Sequence, residues 1–227
     1  MINELHVSIY QLMELAGLAT ANLVRQYFKS NLTGKKISIV CGKGNNGGDG
    51  LVAARFLAIW QAEPTIILTG AEEELKEAPM QQLQSVKSLN LPIINCCDFD
   101  LKDIKTILHQ SDLIIDALLG VGLNNEPKEE YATLINLMNQ SYKTILAIDC
   151  PSGFDATTGQ AFSNCIKAAL TITMAAMKTG FKNKEAEQYT GPIYLADIGI
   201  PAYLYQKFGQ SAPRFKNMIT KTKNSDR

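Results

Sequence analysis

Between positions 7 and 29, apolar residues recur at Ile9, Leu12, Met13, Ala16, Ala19, Leu23 and Tyr27. This spacing is close to the helical period and gives one apolar face, so it predicts one or two helices, interrupted or bent near Gly17. A short β-branched run at 36–41 ends at glycine, and helical spacing resumes from Leu51 to Trp60. The pattern predicts a strand, a tight Gly/Asn loop and a helix. Alternation continues with a strand at 64–68, a helix at 75–89 and the start of a short strand at Ile93 and Ile94. Positions 113–116 form an apolar run that ends in an acid, and 144–149 repeat that design, with a helix expected over 130–139 between them. Further strands are expected at 169–174 and 193–198. Near-continuous apolar strands alternating with helices imply an α/β fold. The expected form is a three-layer αβα sandwich, with a Rossmann-like, mostly parallel sheet covered by helices on both faces.

Composition narrows the classes without changing the fold. A chain of 227 residues, 46% hydrophobic and 19% charged, suits one globular domain with a sizeable core. That domain is read over 1–213. From 214 to 227 periodicity is lost, and Arg214, Lys216, Lys221, Lys223 and Arg227 stand against Asp226, which suits a solvated tail or a linker. Lys plus Arg (22) balances Asp plus Glu (22), so no overall field draws nucleic acid or an anionic membrane. An anionic ligand would have to be held by local geometry. The cysteines, Cys41, Cys96, Cys97, Cys150 and Cys165, are odd in number, lack C-x-x-C spacing and accompany only 2 histidines. They read as small buried hydrophobes in a reducing cytoplasm, not as a disulfide framework or a zinc site. No stretch reaches the roughly 20 apolar residues that span a bilayer.

The stretch 42–50, GKGNNGGDG, lies where a strand gives way to a helix. In a parallel sheet this is the carboxyl edge, where ligands bind. Its glycines allow close approach of backbone N–H groups, and the helix start adds partial positive charge suited to a diphosphate. It is neither a P-loop nor the usual G-x-G-x-x-G fingerprint. A tight strand-to-helix turn would account for the glycines, but not for Asn45, Asn46 and Asp49. A second constellation runs from Asp116 into Gly120 and Gly122, and a third from Asp149 through Ser152 and Gly153 to Asp155. One aspartate at a strand end can be a helix cap or a loop staple. Three polar strand ends, each followed by a glycine-containing loop, point to one shared cleft.

The segments 12–17 (LMELAG), 44–55 (GNNGGDGLVAAR), 116–122 (DALLGVG), 148–153 (IDCPSG) and 196–201 (ADIGIP) span nearly the whole chain. In that order they resemble the YjeF N-terminal domain family, whose characterised activity is NAD(P)H-hydrate epimerase. The resemblance implies an isomerase of cofactor repair that interconverts the R and S forms of hydrated NADH and NADPH (NADHX and NADPHX) at C6 of the nicotinamide ring. It implies a substrate site formed by Asn45, Asn46, Gly47, Gly48, Asp49, Gly120, Val121, Gly122, Leu123, Asn124, Asn125, Glu126 and Asp149. It also implies a potassium ion on Asn46, Asp116 and Ser152, hard oxygen donors suited to that ion. A homodimer and an ADP- or ATP-dependent NAD(P)H-hydrate dehydratase, separate or fused, are the implied partners.

Epimerisation can proceed by acid-assisted loss of hydroxide to a planar iminium and return of water on the other face. Asp149 is the candidate proton shuttle; its alternative role is to orient the ring. An ordinary aspartate, with a reference pKa of about 3.9, would need that value raised by burial or by a neighbouring carboxylate, such as Asp116 or Asp155. Lys178 stands where the family usually has Pro-Lys, with Met177 in place of the proline, and reads either as a phosphate contact or as a surface lysine. A competing reading is a non-catalytic nucleotide-binding or scaffold domain of the same fold. A third, an oxidoreductase or methyltransferase, would want an uninterrupted glycine fingerprint and an acid directly after the second strand.

Overall fold

The computed structural model describes residues 2–123 and 125–222. Its helices are α1 (Ile2–Leu5), α2 (Ile9–Tyr27), α3 (Asn45–Ile59), α4 (Glu77–Lys87), α5 (Leu101–Gln110), α6 (Glu129–Gln140), α7 (Glu187–Thr190) and α8 (Ala202–Lys207). Its strands are β1 (Lys36–Cys41), β2 (Glu63–Leu68), β3 (Ile93–Asn95), β4 (Leu113–Ala117), β5 (Ile145–Ile148), β6 (Leu170–Met174), β7 (Ile193–Ala196) and β8 (Ile219–Lys221). They form one sheet in the order β3-β2-β1-β4-β5-β6-β7-β8. Every pairing is parallel except that of β7 with β8. Alternation along the strands feeds two cores. Ile39, Ile66, Ile115 and Leu146 pack with Leu23 of α2, Leu51 and Leu57 of α3 and Leu83 of α4. Val40, Ile67, Ile114 and Ala147 face the other way, onto Ile104 and Leu108 of α5 and Leu134 and Met138 of α6. The expected αβα sandwich is therefore observed. Strand order reverses between β1 and β4, which opens a crevice at their carboxyl ends.

Two boundaries differ from the sequence expectation for one reason. Helix α2, started by a capping box between Ser8 and Gln11, runs through Gly17 without a break. A Cβ at Gly17 would lie 2.4 Å from Val52 Cβ, so this glycine lets α2 and α3 touch and does not bend the chain. The expected Gly/Asn loop is likewise the first turns of α3, with Gly44 as N-cap. A Cβ at Gly47 would lie 1.9 Å from the Gly42 carbonyl oxygen, and one at Gly50 2.6 Å from Ala117 Cβ. Close packing selects these glycines, and helix propensity yields to it.

Helix α5 is not evident from the pattern, since only Ile104 and Leu108 are buried on it; Asp100 caps it at the Lys102 amide. The expected solvated tail also begins as structure. Ile219–Lys221 pairs with β7 and satisfies the backbone groups of what would otherwise be an exposed edge strand. Three half-buried residues are too few to announce themselves by periodicity. The expected positions Lys223, Asp226 and Arg227 lie outside the described residues. Cys41, Cys150 and Cys165 are buried as expected, whereas Cys97 is exposed in the turn after β3, so it is not a core residue. Among the described residues, no helix is long and apolar enough to cross a membrane.

If the α3 glycines act by close packing, Gly50→Ala will destabilise the fold by about 1–3 kcal/mol, a cost typical of overpacking. Gly122→Ala, where an added Cβ would meet nothing within 4 Å, will change stability by less than about 0.5 kcal/mol. Thermal melts of the two variants check this; equal losses would rule out close packing as the cause.

Candidate active site

The carboxyl ends of β1, β4 and β5 surround a cavity of about 410 Å³ in the crevice. Gly44, Asn45, Asn46 and Asp49 line it from the start of α3, Leu118 to Leu123 from the loop after β4, and Asp149 from the end of β5. Lys76, at the N-cap of α4, and Tyr131 of α6 complete the lining. A hollow of about 330 Å³, lined by Gly122, Leu123, Asn125, Glu126 and Tyr131, continues from it. A larger cavity of about 630 Å³ beside β7 and β8 contains none of the strand-end acids, so size alone does not mark the chemistry.

Most of the expected residues converge here, but some do not reach the cavity. Gly47 and Gly48 are buried beneath it, Gly47 against Gly42 and Gly48 against Met13. They shape the site without lining it. The first amides of α3 have no partner within the helix, which leaves them available to an anion. Glu126 sits at the rim, where its carboxylate accepts bonds from the Ser163 N–H (3.0 Å) and hydroxyl (2.7 Å), which hold its pKa below the usual range. Asn124 lies outside the described residues. Lys43 turns away from the glycine stretch to pair with Glu74 and Glu130 at 3.1 and 3.2 Å.

Asp116 is fully buried. Its Oδ1 accepts from the Ser152 hydroxyl at 2.6 Å and the Leu118 N–H at 3.2 Å, and its Oδ2 from the Ser152 N–H at 2.8 Å. Burial raises its pKa to about 6, against the lowering effect of these donors. No cation is paired with it among the described residues. Asn46, beside Gly120, has a buried side-chain nitrogen without a hydrogen-bond partner among the described residues. Turning that amide over would present an oxygen instead, so Asn46, Asp116 and Ser152 offer oxygen donors and a buried negative charge that lacks a counter-ion. This donor set fits a hard cation.

Asp149 adopts φ +63°, an unusual value for a non-glycine residue, while the Cys150 N–H bonds back to Ile148 at 2.7 Å. The end of β6 repeats this turn at Ala175, φ +63°, where the Ala176 N–H bonds to Met174 at 2.7 Å. Together these turns bring Lys178 Nζ to 2.8 Å from Asp149 Oδ1. Thr173 Oγ1 and the Met174 N–H, each at 3.3 Å, donate to the same oxygen. Lys178 is therefore the ion-pair partner of a residue that lines the cavity, and its side chain is largely buried, not a free surface lysine. The expected carboxylate neighbours of Asp149 are occupied elsewhere: Asp116 holds Ser152, and Asp155 accepts from the Thr157 and Thr158 amides. The carboxylate that acts on Asp149's surroundings is that of Asp49, whose own pKa is raised well above the ordinary value by burial and by the charge of Asp149. Sequence reading places Asp49 only among binding residues and misses Lys76 and Tyr131, which sit on elements distant in sequence and in no motif.

The family model described as YjeF-related protein N-terminus matches residues 9–180. The NAD(P)H-hydrate epimerase of Oenococcus oeni is 34% identical over 199 residues, which cover 88% of this chain and 90% of the relative. A bifunctional NAD(P)H-hydrate repair enzyme of Moorella thermoacetica is 34% identical over 194 residues, or 85% of this chain; the chain spans 37% of that relative's length. The crystal structure of the yeast protein ynu0 is similar at a TM-score of 0.83 and 26% identity, over 95% of this chain and 91% of that one. Since the match runs from the first turn of α2 to beyond Lys178 and so contains every segment that lines the cavity, the chain belongs to the YjeF N-terminal family.

Proposed function

We propose that this chain is an NAD(P)H-hydrate epimerase, an enzyme that interconverts the R and S forms of NADHX and NADPHX. The observation that carries the reading is the convergence of Asn46, Asp49, Asp149 and the 120–123 loop on one cavity at the sheet's switch point. The Oenococcus oeni relative of nearly the same extent, named as an NAD(P)H-hydrate epimerase, supports it. In this assignment the free amides at the start of α3 and the rim cation Lys76 take the diphosphate. The nicotinamide end meets Asp49 and Asp149, and C6 loses and regains its hydroxyl there with no net redox change. Asp149 is a catalytic residue in this scheme.

Asn46, Asp116 and Ser152 would hold a potassium ion. When bound, the ion supplies the positive charge that the buried Asp116 carboxylate lacks and keeps the loops after β4 and β5 in register. The reaction feeds a partner NAD(P)H-hydrate dehydratase in the cytoplasm, because epimerisation alone repairs nothing. The extra length of the bifunctional repair relatives supports such a partnership. A homodimer is the assembly that the family resemblance suggests.

Chromatography of R-NADHX and R-NADPHX in potassium buffer checks the activity. The protein will speed equilibration to the S form beyond the spontaneous rate, and Asp149→Ala will lower kcat by about 10²–10⁴-fold. A folded protein that gives no acceleration would reject the epimerase reading.

The ion has a separate test. With Asp116 raised to about 6, the folded chain holds a proton more tightly than the unfolded chain, so this contribution is full below the ordinary carboxylate value. It is lost as pH rises through about 6, a change of up to about 3 kcal/mol at roughly 1.4 kcal/mol per pKa unit. In tetramethylammonium buffer, Tm will fall from about pH 5 to about pH 7.5. Potassium will restore it at the higher pH with little effect at the lower, and Asp116→Asn will remove both responses. An equal potassium effect at both pH values would exclude Asp116 as a ligand.

A further inference from the structure

Two carboxyl groups line the same cavity in opposite surroundings. Asp149 is anchored on one oxygen by the Lys178 ammonium at 2.8 Å, with Thr173 and the Met174 N–H behind it. Lys178 is itself held in place by the Met174 carbonyl at 3.1 Å. Asp49, projecting from the second turn of α3, has neither an ion-pair partner nor a hydrogen-bond donor among the described residues. It stands on a helix whose neighbouring residues, Gly47, Gly48, Gly50, Leu51 and Val52, are buried. A carboxyl group that is crowded by protein, unpaired and close to a second carboxylate keeps its proton more readily than an exposed one. Two carboxyl groups in one cavity, one tethered to an ammonium and the other without a partner, can divide acid and base roles.

Resting on the epimerase reading, we propose that Asp49 is the proton donor of the reaction and that Asp149, tethered by Lys178, is its charged counterpart in the same cavity. Asp49 gives its proton to the C6 hydroxyl oxygen. The C6–O bond breaks, its electron pair leaves on oxygen as water, and the lone pair of the ring nitrogen forms the C=N bond of an iminium. The Asp149 carboxylate stabilises that positive charge. A water oxygen then bonds to C6, the C=N electron pair returns to nitrogen, and the surplus proton of the water passes to Asp149. Proton exchange with solvent in the open cavity returns Asp49 to its acid form and Asp149 to its carboxylate. Lys178 is a positioning residue that holds Asp149 charged and fixed.

The titratable groups around Asp49 agree with this division. Asp149 follows β5, Lys178 lies beyond β6, Lys76 stands on the rim at α4, Tyr131 is on α6, and an ion pair of Glu14 with Arg55 joins α2 to α3. Of these, Asp149 supplies the charge that acts on Asp49, and it adds to burial in favouring the neutral acid.

Asp49→Asn and Asp149→Asn, each close in shape to the original, separate the roles. The wild-type kcat/KM will fall on the alkaline side as the donor loses its proton; Asp49→Asn will lower kcat by about 10²–10⁴-fold and remove that limb, while Asp149→Asn will lower kcat and keep it. Infrared difference spectra at about pH 7 will assign a protonated-carboxyl C=O stretch to Asp49, present in the wild type and in Asp149→Asn and absent from Asp49→Asn. If Asp49→Asn fails to fold, the band in the other two proteins still decides whether an acid survives without Asp149. A near-wild-type kcat in Asp49→Asn, or a band that disappears with Asp149, would overturn the assignment. A wild-type protein with no epimerase activity would overturn the functional reading beneath it, whichever residue carries the band.

Discussion

The arrangement depends on how closely the first turns of α3 approach the sheet. Gly47 lies under the Gly42 carbonyl, Gly50 against Ala117 of β4 and Gly48 against Met13 of α2, while Gly17 of α2 meets Val52. A side chain at Gly47 or Gly50 would push the helix outward and widen the crevice between β1 and β4. The same contacts aim the unsatisfied amides at the helix start into the crevice and carry Asn46 and Asp49 into its wall. One steric constraint thus sets an anion site, an amide and a carboxyl group relative to the ends of β4 and β5.

Three aspartates meet around this crevice, and their surroundings give each a different condition. Asp116 is wrapped by donors from Ser152 and Leu118 but has no cation among the described residues, so its charge calls for one. Asp149 has its cation in Lys178, brought in by matching left-handed turns at the ends of β5 and β6. Asp49 has neither. Non-glycine residues in that backbone region cost roughly 1–3 kcal/mol each. Two such turns at neighbouring strand ends place Asp149 and Lys178 within ion-pair distance. Spacing along the chain cannot reveal such differences, because they arise from which groups end up adjacent in space.

Legibility in the sequence follows the same physical division. Strands buried on both faces are read easily, since a short, continuous β-branched run bounded by turn residues suits little but a buried strand, and β1, β2, β4, β5, β6 and β7 all lie where the pattern expects them. Helix α5 stays hidden because two buried residues one turn apart carry too little signal, and β8 because its pairing rests on backbone groups. In the site, residues within motifs are legible: Asn45, Asn46, Asp49, the 120–123 loop and Asp149 do share a cavity. How neighbours divide the work is not. Gly47 and Gly48, expected at the ligand, also set the helix depth, and Lys178, expected near a phosphate or at the surface, holds a carboxylate.

An overall charge of zero leaves the binding of a diphosphate to local features, and the structure restricts these further. Lys43, the basic residue within the glycine stretch, is neutralised by Glu74, in the turn before α4, and by Glu130 of α6, and so ties those two segments together. Lys76 is then the one cation among the described residues lining the main cavity. A single exposed ammonium beside helix amides is enough to orient a diphosphate, because the amides supply directional donors and the ammonium supplies charge. A second phosphate, as on the ribose of NADPHX, would need a further cation. Lys128 lines the adjoining hollow. On the proposed function, discrimination between the two hydrated cofactors would fall to the rim beyond Gly122 and not to Asp49 and Asp149, which both substrates would meet alike.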